Sequence, residues 1–380
     1  MLTLIPLFLA APGAEAASFG MNDVSMLFPI AAPNEAALAL RPDDAGPKGE
    51  LFPRELYDRF RVLDSAYNPD VLYRKALKVV GLRIDPCFRE GGQTGCRRQI
   101  RLVWQPIVET GGKAAALDAA FHTFYEFSDA GWTELVSRWR AIAKGDAGEP
   151  LQIQPTLRRE GYRGPFWKRL KEIIFAACGK QNLVRITQMN VTGAQTWIFN
   201  GLDFDGREWK RLAVPRTNSF SQTILLSGAP FETVEFRGAF APIPRGSPEL
   251  AKLITDSVEF KRVSTPASAS AAMADVIASE NPNRNDPGTL DCVSCHVAQT
   301  ARLWGARNFP DLDWKGLYRE NGFATPMNVE NRSVRAANTN RFRAFGYFDA
   351  DPIFSDRVIN ETAAVAASLN RPFAARRRPR

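Results

Sequence analysis

Val184-Arg-Ile-Thr-Gln-Met189, Thr196-Trp-Ile-Phe199, Gln222-Thr-Ile-Leu-Leu226 and Thr233-Val-Glu-Phe236 follow one another with turn residues such as Asp205-Gly206 and Ser227-Gly228 between them. Short runs rich in β-branched and aromatic residues, separated by turns, predict a small antiparallel sheet. Working outward toward the N-terminus, Leu72–Ile84 and Gln99–Ile107 read as two more strands. Ala114–Phe127 and Trp132–Ala143 read as helices, the second capped by Ser128-Asp129, and Phe166–Cys178 as a helix stopped by Gly179. Toward the C-terminus, Pro242, Pro244 and Pro248 break the strand pattern, and from Leu250 the chain reads as mainly helical, with a loop at Asn281–Asp291. Residues 17–50 read as irregular. The expected fold class is α+β: a mixed helix and antiparallel-sheet portion over 45–245, then a mainly helical domain over 250–370.

The chain has 380 residues, 45% hydrophobic and 24% charged, which describes a globular protein and excludes collagen-like, disordered and polytopic membrane classes. Leu2–Ala11 is an apolar run followed by Ala14-Glu15-Ala16, the small-x-small pattern of an export signal over residues 1–16, although no Lys or Arg precedes it. No other stretch is apolar enough for a transmembrane span. The net charge is +8, and residues 371–380 form an Arg-rich tail suited to an acidic partner or an anionic membrane surface. No nucleic-acid-binding module accompanies that charge. Cys87 and Cys96 flank a Gly-rich turn between two strand-like runs. A disulfide across that hairpin would contribute roughly 2.5–3 kcal/mol and belongs in an oxidising compartment. The expected location is therefore periplasmic or otherwise exported, of bacterial type.

The chemistry concentrates in Cys292-Val293-Ser294-Cys295-His296, a C-x-x-C-H motif that uses one of only two histidines in the chain. On a starting helix, residues three apart point to the same side, so both thiols can reach the two vinyl groups of one porphyrin. The adjacent imidazole then reaches the iron. Three other uses of the two cysteines compete. A thioredoxin-like pair belongs in a β-α-β setting, which this is not. A zinc site needs further ligands at suitable spacing, and a local disulfide strains at this one.

Residues 285–370 resemble a small mono-haem c-type cytochrome domain. The resemblance implies that Cys292 and Cys295 attach one covalent haem c and that His296 is its proximal ligand. It also implies a distal ligand at Met327, because Thr325-Pro326-Met327 is similar to the Pro-near-Met segment of that family, and a closing helix at Asp356–Leu369. Besides Met327, the sixth position has His122, Met189, Met273 or no ligand as alternatives. As a helical residue His122 would share a polar face with Asp118 and Glu126, which predicts a surface histidine. Phe342, Phe345, Tyr347, Phe348, Trp304 and Phe309 are candidates for an apolar haem wall, and Arg302 and Arg307 for propionate partners.

A six-coordinate haem implies an electron-transfer protein rather than a catalyst, with a redox partner for which the basic net charge favours acidic character. An open distal face implies a peroxidase-like enzyme. A third class, a haem-bearing sensor or partner-binding module, would give residues 45–245 a role. No other catalytic constellation stands out.

Overall fold

The computed structural model describes residues 18–60, 67–88, 95–110, 112–145, 149–192, 196–227, 235–236, 242–323 and 342–371. The export-signal segment at 1–16, Met327 and the tail beyond Arg371 lie outside the described residues.

The centre of the molecule is a ten-stranded antiparallel sheet. Its strands are β1 (Ser25–Leu27), β2 (Leu77–Phe88), β3 (Arg97–Thr110), β4 (Lys113–Ala116), β5 (Ala120–Phe127), β6 (Leu183–Thr192), β7 (Thr196–Phe204), β8 (Trp209–Arg211), β9 (Ser221–Ser227) and β10 (Glu235–Phe236). They lie in the order β1-β2-β3-β5-β6-β7-β9-β10, with β4 on β3 and β8 on β7. The β2–β3 hairpin carries the expected Cys87–Cys96 disulfide. The expected strands at 184–189, 196–199 and 222–226 are all present within longer ones. Of the Thr233–Phe236 run, the two described residues are strand.

Three expectations need correction. Ala114–Phe127 is not a helix but strands β4 and β5. Its Ala-rich start favours helix locally, yet β5 is held between β3 and β6 with His122 opposite Val103 on one side and Thr187 on the other. Leu72–Ile84 is strand only from Leu77, because Leu72–Ala76 forms a helical turn. Within residues expected to be irregular, Ser25–Leu27 pairs with β2 as an edge strand.

Helices α1 (Asp129–Arg140) and α2 (Pro165–Ala177) follow β5 in sequence and close one face of the sheet. Ser128 caps α1, accepting the Gly131 N–H, and α2 begins with Pro165 at its first position. Beneath them lies a core of Leu102, Trp104, Phe121, Tyr125, Trp139, Trp167 and Ile186.

The other face carries the described helices that follow the last strand of the sheet. Helices α3 (Pro248–Thr255), α4 (Ser257–Val263), α5 (Pro266–Ser279), α6 (Cys292–Asn308) and α7 (Trp314–Asn321) lie over β6, β7 and β9, sharing a core with Met189, Trp197, Phe199 and Ile224. Gly305 lets α6 and α5 approach closely, since a Cβ there would sit 2.1 Å from Met273 Sδ. The chain then adds a hairpin, β11 (Phe345–Phe348) with β12 (Asp351–Phe354), and ends on α8 (Asp356–Asn370). Among the described residues after 250, five helical stretches are followed by a β-hairpin and a last helix. Gln105 of β3 binds both backbone groups of Tyr347, and Gly81 leaves room for Phe345, whose ring would be 2.7 Å from a Cβ there. The end of α8 packs into the first core through Val365, Ala366 and Leu369, so side chains from both sides of residue 245 share hydrophobic clusters. Among the described residues no helix is long and apolar enough to cross a membrane.

Candidate functional site

Between the α3–α7 layer and the hairpin–α8 layer the sheet is left partly uncovered, and a cavity of about 410 Å³ opens there. That is within the range of small-molecule and cofactor sites. Its floor is the sheet: Arg101 on β3, His122 and Phe124 on β5, Arg185, Thr187 and Met189 on β6, and Phe199 on β7. The cavity is bounded elsewhere by Asp286–Gly288 and Leu290, by Cys292, Cys295 and His296 at the start of α6, by Phe345 of the hairpin, and by Arg357 and Glu361 of α8.

The start of α6 is fixed from the sheet. Asp291 is the N-cap, its Oδ1 accepting the Ser294 N–H at 3.0 Å. The same oxygen accepts from Gln222 Nε2 of β9 at 2.9 Å, while Gln222 Oε1 accepts the Val293 N–H at 3.1 Å. One glutamine therefore ties the first turn of the helix to the strand. Cys292 and Cys295 are both free thiols, and burial pushes them up to about 12 and about 11. Among the described residues no group of three or more His, Cys, Asp or Glu is arranged to hold a bare metal ion.

His296 packs its ring 4.7 Å from that of Phe199, and its Nδ1 lies 2.5 Å from the Phe342 carbonyl oxygen. A carbonyl only accepts, so Nδ1 carries the proton and Nε2 keeps its lone pair. Burial holds this imidazole down at about 4, so it is neutral at ordinary pH.

His122 is not on the helix surface expected for it. In β5 its side chain shares a face with Ala120 and Phe124 and enters the cavity. It makes no hydrogen bond to any described residue; its ring contact is with Phe124. Burial, then the charge of Arg101 with Arg343 and Arg83 adding to it, holds its imidazole well below the usual histidine range.

Four arginines line the cavity, and three are occupied. Arg185 grips Asp203 of the neighbouring strand, Arg343 reaches Asp118 at 2.5 Å, and Arg357 Nε donates to Glu361 at 2.6 Å. Arg101 has no ion pair among the described residues. Its guanidinium lies over the rings of Phe124 and Phe88, 4.7 and 5.8 Å from their centroids, and its Nε is buried without a hydrogen bond. Burial and the nearby Arg83 bring it down to about 10, which leaves it charged at neutral pH.

Other expected participants stand elsewhere. Arg302 is buried in ion pairs with Glu280, at 2.8 Å, and with Asp356, so it holds α6 to its neighbours rather than facing the cavity. Of the six aromatic candidates only Phe345 lines the cavity; Phe342 instead packs on Trp197 and Phe236, and Trp304 on Phe260 and Phe309. The sequence pattern places Phe199 and Gln222 on strands without marking their part in the site, and it does not mark Arg101 at all. The aromatic alternation in Phe121-His-Thr-Phe-Tyr-Glu-Phe127 was the available signal that His122 sits on a strand.

No protein-family profile, curated protein or solved structure matches this chain. The reading of the cavity therefore rests on its own chemistry.

Proposed function

We propose that this chain holds one covalent haem c in the cavity and serves as an exported electron-transfer protein. The observation that carries the reading is the convergence of two free thiols and an imidazole with an available Nε2 on one space of cofactor size. Cys292 and Cys295 would hold the group by adding each S–H across a vinyl, and His296 Nε2 would ligate the iron. The Phe342 carbonyl fixes the His296 tautomer and ring angle and makes Nε2 more basic. Arg101, a cation with no direct ion pair among the described residues and a buried Nε left unbonded, suits a propionate carboxylate. Phe124, Phe199 and Phe345 keep water from the apolar part of the space. A haem bound there supplies a one-electron iron couple whose potential depends on axial ligands and burial.

The Cys87–Cys96 disulfide supports an oxidising, periplasmic-type compartment, where thiols of this kind are joined to haem. The partner would be another redox protein, with acidic character favoured by the net charge of +8.

The test is an alkaline pyridine haemochrome spectrum of the full chain made in a host with c-type haem maturation, beside a Cys292→Ala/Cys295→Ala variant. A c-type band that survives acid–acetone extraction, and is lost in the variant, is the expected result. Well-folded exported protein without covalent haem would refute the reading.

One observation favours a second reading. His122 brings an acid–base group into the same cavity, as a peroxidase-like enzyme would require. A five-coordinate ferric iron together with turnover of hydrogen peroxide would mark that case.

A further inference from the structure

We infer that His122, on the central strand β5, is the sixth ligand of the iron, so that the site is a bis-histidine centre with one ligand from a helix and one from the sheet. The inference rests on the haem reading above and deepens it.

The strand register supplies the geometry. Ala120, Met189, Phe199 and Gln222 form one row across β5, β6, β7 and β9. His296 packs on Phe199 and the start of α6 is tied to Gln222, so this row lies under the proximal side. His122 stands in the next row, opposite Thr187, which is itself opposite Gly201. It is displaced from Phe199 by two strands and two residues, roughly 12 Å across the sheet. The two imidazoles therefore enter the same cavity from different positions.

The side chain's own state agrees. A half-buried imidazole at the edge of an open cavity needs no protein partner for its ring nitrogens. His122 has none among the described residues, and Arg101 and Arg343 add positive charge around it. A neutral imidazole with a free lone pair is the form that binds iron.

The methionines compete less well. Met189 is 5% exposed and belongs to the apolar cluster of Trp197 and Phe199, in the same row as the residue that supports His296. Met273 is packed against Gly305, on the flank of α6 that faces α5. Met327 lies outside the described residues.

The experiment uses the haem-loaded full chain. Ferric protein is examined by electron paramagnetic resonance and near-infrared magnetic circular dichroism, which separate bis-imidazole from imidazole–thioether ligation. Wild type is expected to be low-spin with the bis-imidazole signature. His122→Phe is expected to keep its covalent haem, lose the low-spin signal and recover it with added imidazole. His122→Met is expected to gain the sulfur-to-iron charge-transfer band and a raised midpoint potential, while Met327→Leu and Met189→Leu leave the wild-type signature intact. A sulfur signature or a high-spin iron in wild type overturns the assignment and leaves the haem reading standing. So does a low-spin signal unchanged in His122→Phe. If that variant does not fold, the wild-type spectra and His122→Met still decide. Absence of covalent haem overturns both readings together.

Discussion

The two faces of one sheet are built to different ends. On β5, Phe121, Thr123 and Tyr125 point to the face closed by α1 and α2, and all three are fully buried. Phe121 meets the rings of Phe52, Tyr57 and Phe60, and Thr123 accepts from Trp104 Nε1 at 2.8 Å. One residue out of step, Ala120, His122 and Phe124 point to the cavity. The strands on either side repeat the contrast, Leu102 and Trp104 against Arg101 on β3, and Ile186 against Arg185 and Thr187 on β6. The first face is a continuous packed core of aromatic and aliphatic side chains. The second leaves a buried guanidinium Nε unbonded, at a typical cost of about 1–3 kcal/mol, and an imidazole without a described partner. A chain selected for stability alone would fill that space with Leu or Val. The space itself, lined by two thiols, two imidazoles and that guanidinium, sets this face apart.

The sharpest break between the faces is Phe121→Ala. The side chain is fully buried among three other rings, so its loss should destabilise the protein by about 3–5 kcal/mol, with and without haem alike. Denaturant unfolding of both forms checks this; a loss confined to the haem-loaded form would contradict the comparison.

Next in size is the acid limb on the open face. Burial alone would raise the Glu361 carboxyl, but Arg357 and Arg83 outweigh it and hold the group well below the carboxylate range. The unfolded chain therefore takes up a proton near the ordinary value of 4.5 while the folded one resists. The stability Glu361 contributes is present above about pH 4.5 and is lost as pH falls toward its folded value. Glu361→Gln should flatten this limb and cost about 3–5 kcal/mol at pH 7, because it leaves buried Arg357 with no ion pair among the described residues and Arg83 with Asp85 alone. Stability measured from pH 7 to pH 3 would show both effects.

Arg101→Met should act with the opposite sign. Removing a half-buried cation whose Nε is unbonded should stabilise haem-free protein by about 1–3 kcal/mol, while haem-loaded protein gains less because a propionate then lacks its partner. Thermal unfolding of the two forms side by side tests it. An equal gain in both would show that Arg101 has no part in the cavity's ligand.

What was legible in the sequence follows from how far apart the relevant residues are. Cys292, Cys295 and His296 form one contiguous motif on the first turn of a helix, so their common direction could be read without the fold. The strands at 184–189, 196–199 and 222–226 announced themselves by alternation. Ala114–Phe127 misled because its alanines favour helix and because Asp118, His122 and Glu126 are spaced four apart, as on a helical face. Pairing with β3 and β6 decided the matter, and such pairing joins residues that no local window contains together. Arg101 meets Phe124 through that same register, across 23 residues of chain. The motif was local and the opposite wall was not.

The smallest effect divides the two faces most finely. Asp291 caps a 17-residue helix whose remaining length is held by the α5 contact and by the Arg302 ion pairs, so Asp291→Ala should cost only about 1 kcal/mol of global stability. The loss would fall on the first turn, where the Ser294 N–H and the Gln222 amide lose a shared acceptor. That turn carries both thiols and His296. Hydrogen exchange should therefore rise at 292–296 while the amides of β5 remain protected, and the yield of covalent haem should fall by more than the stability change accounts for. Equal exchange in both regions would mean that the cap serves the whole fold rather than the site. Unequal exchange would mean that the sheet, through Gln222, holds the attachment turn in place without depending on it.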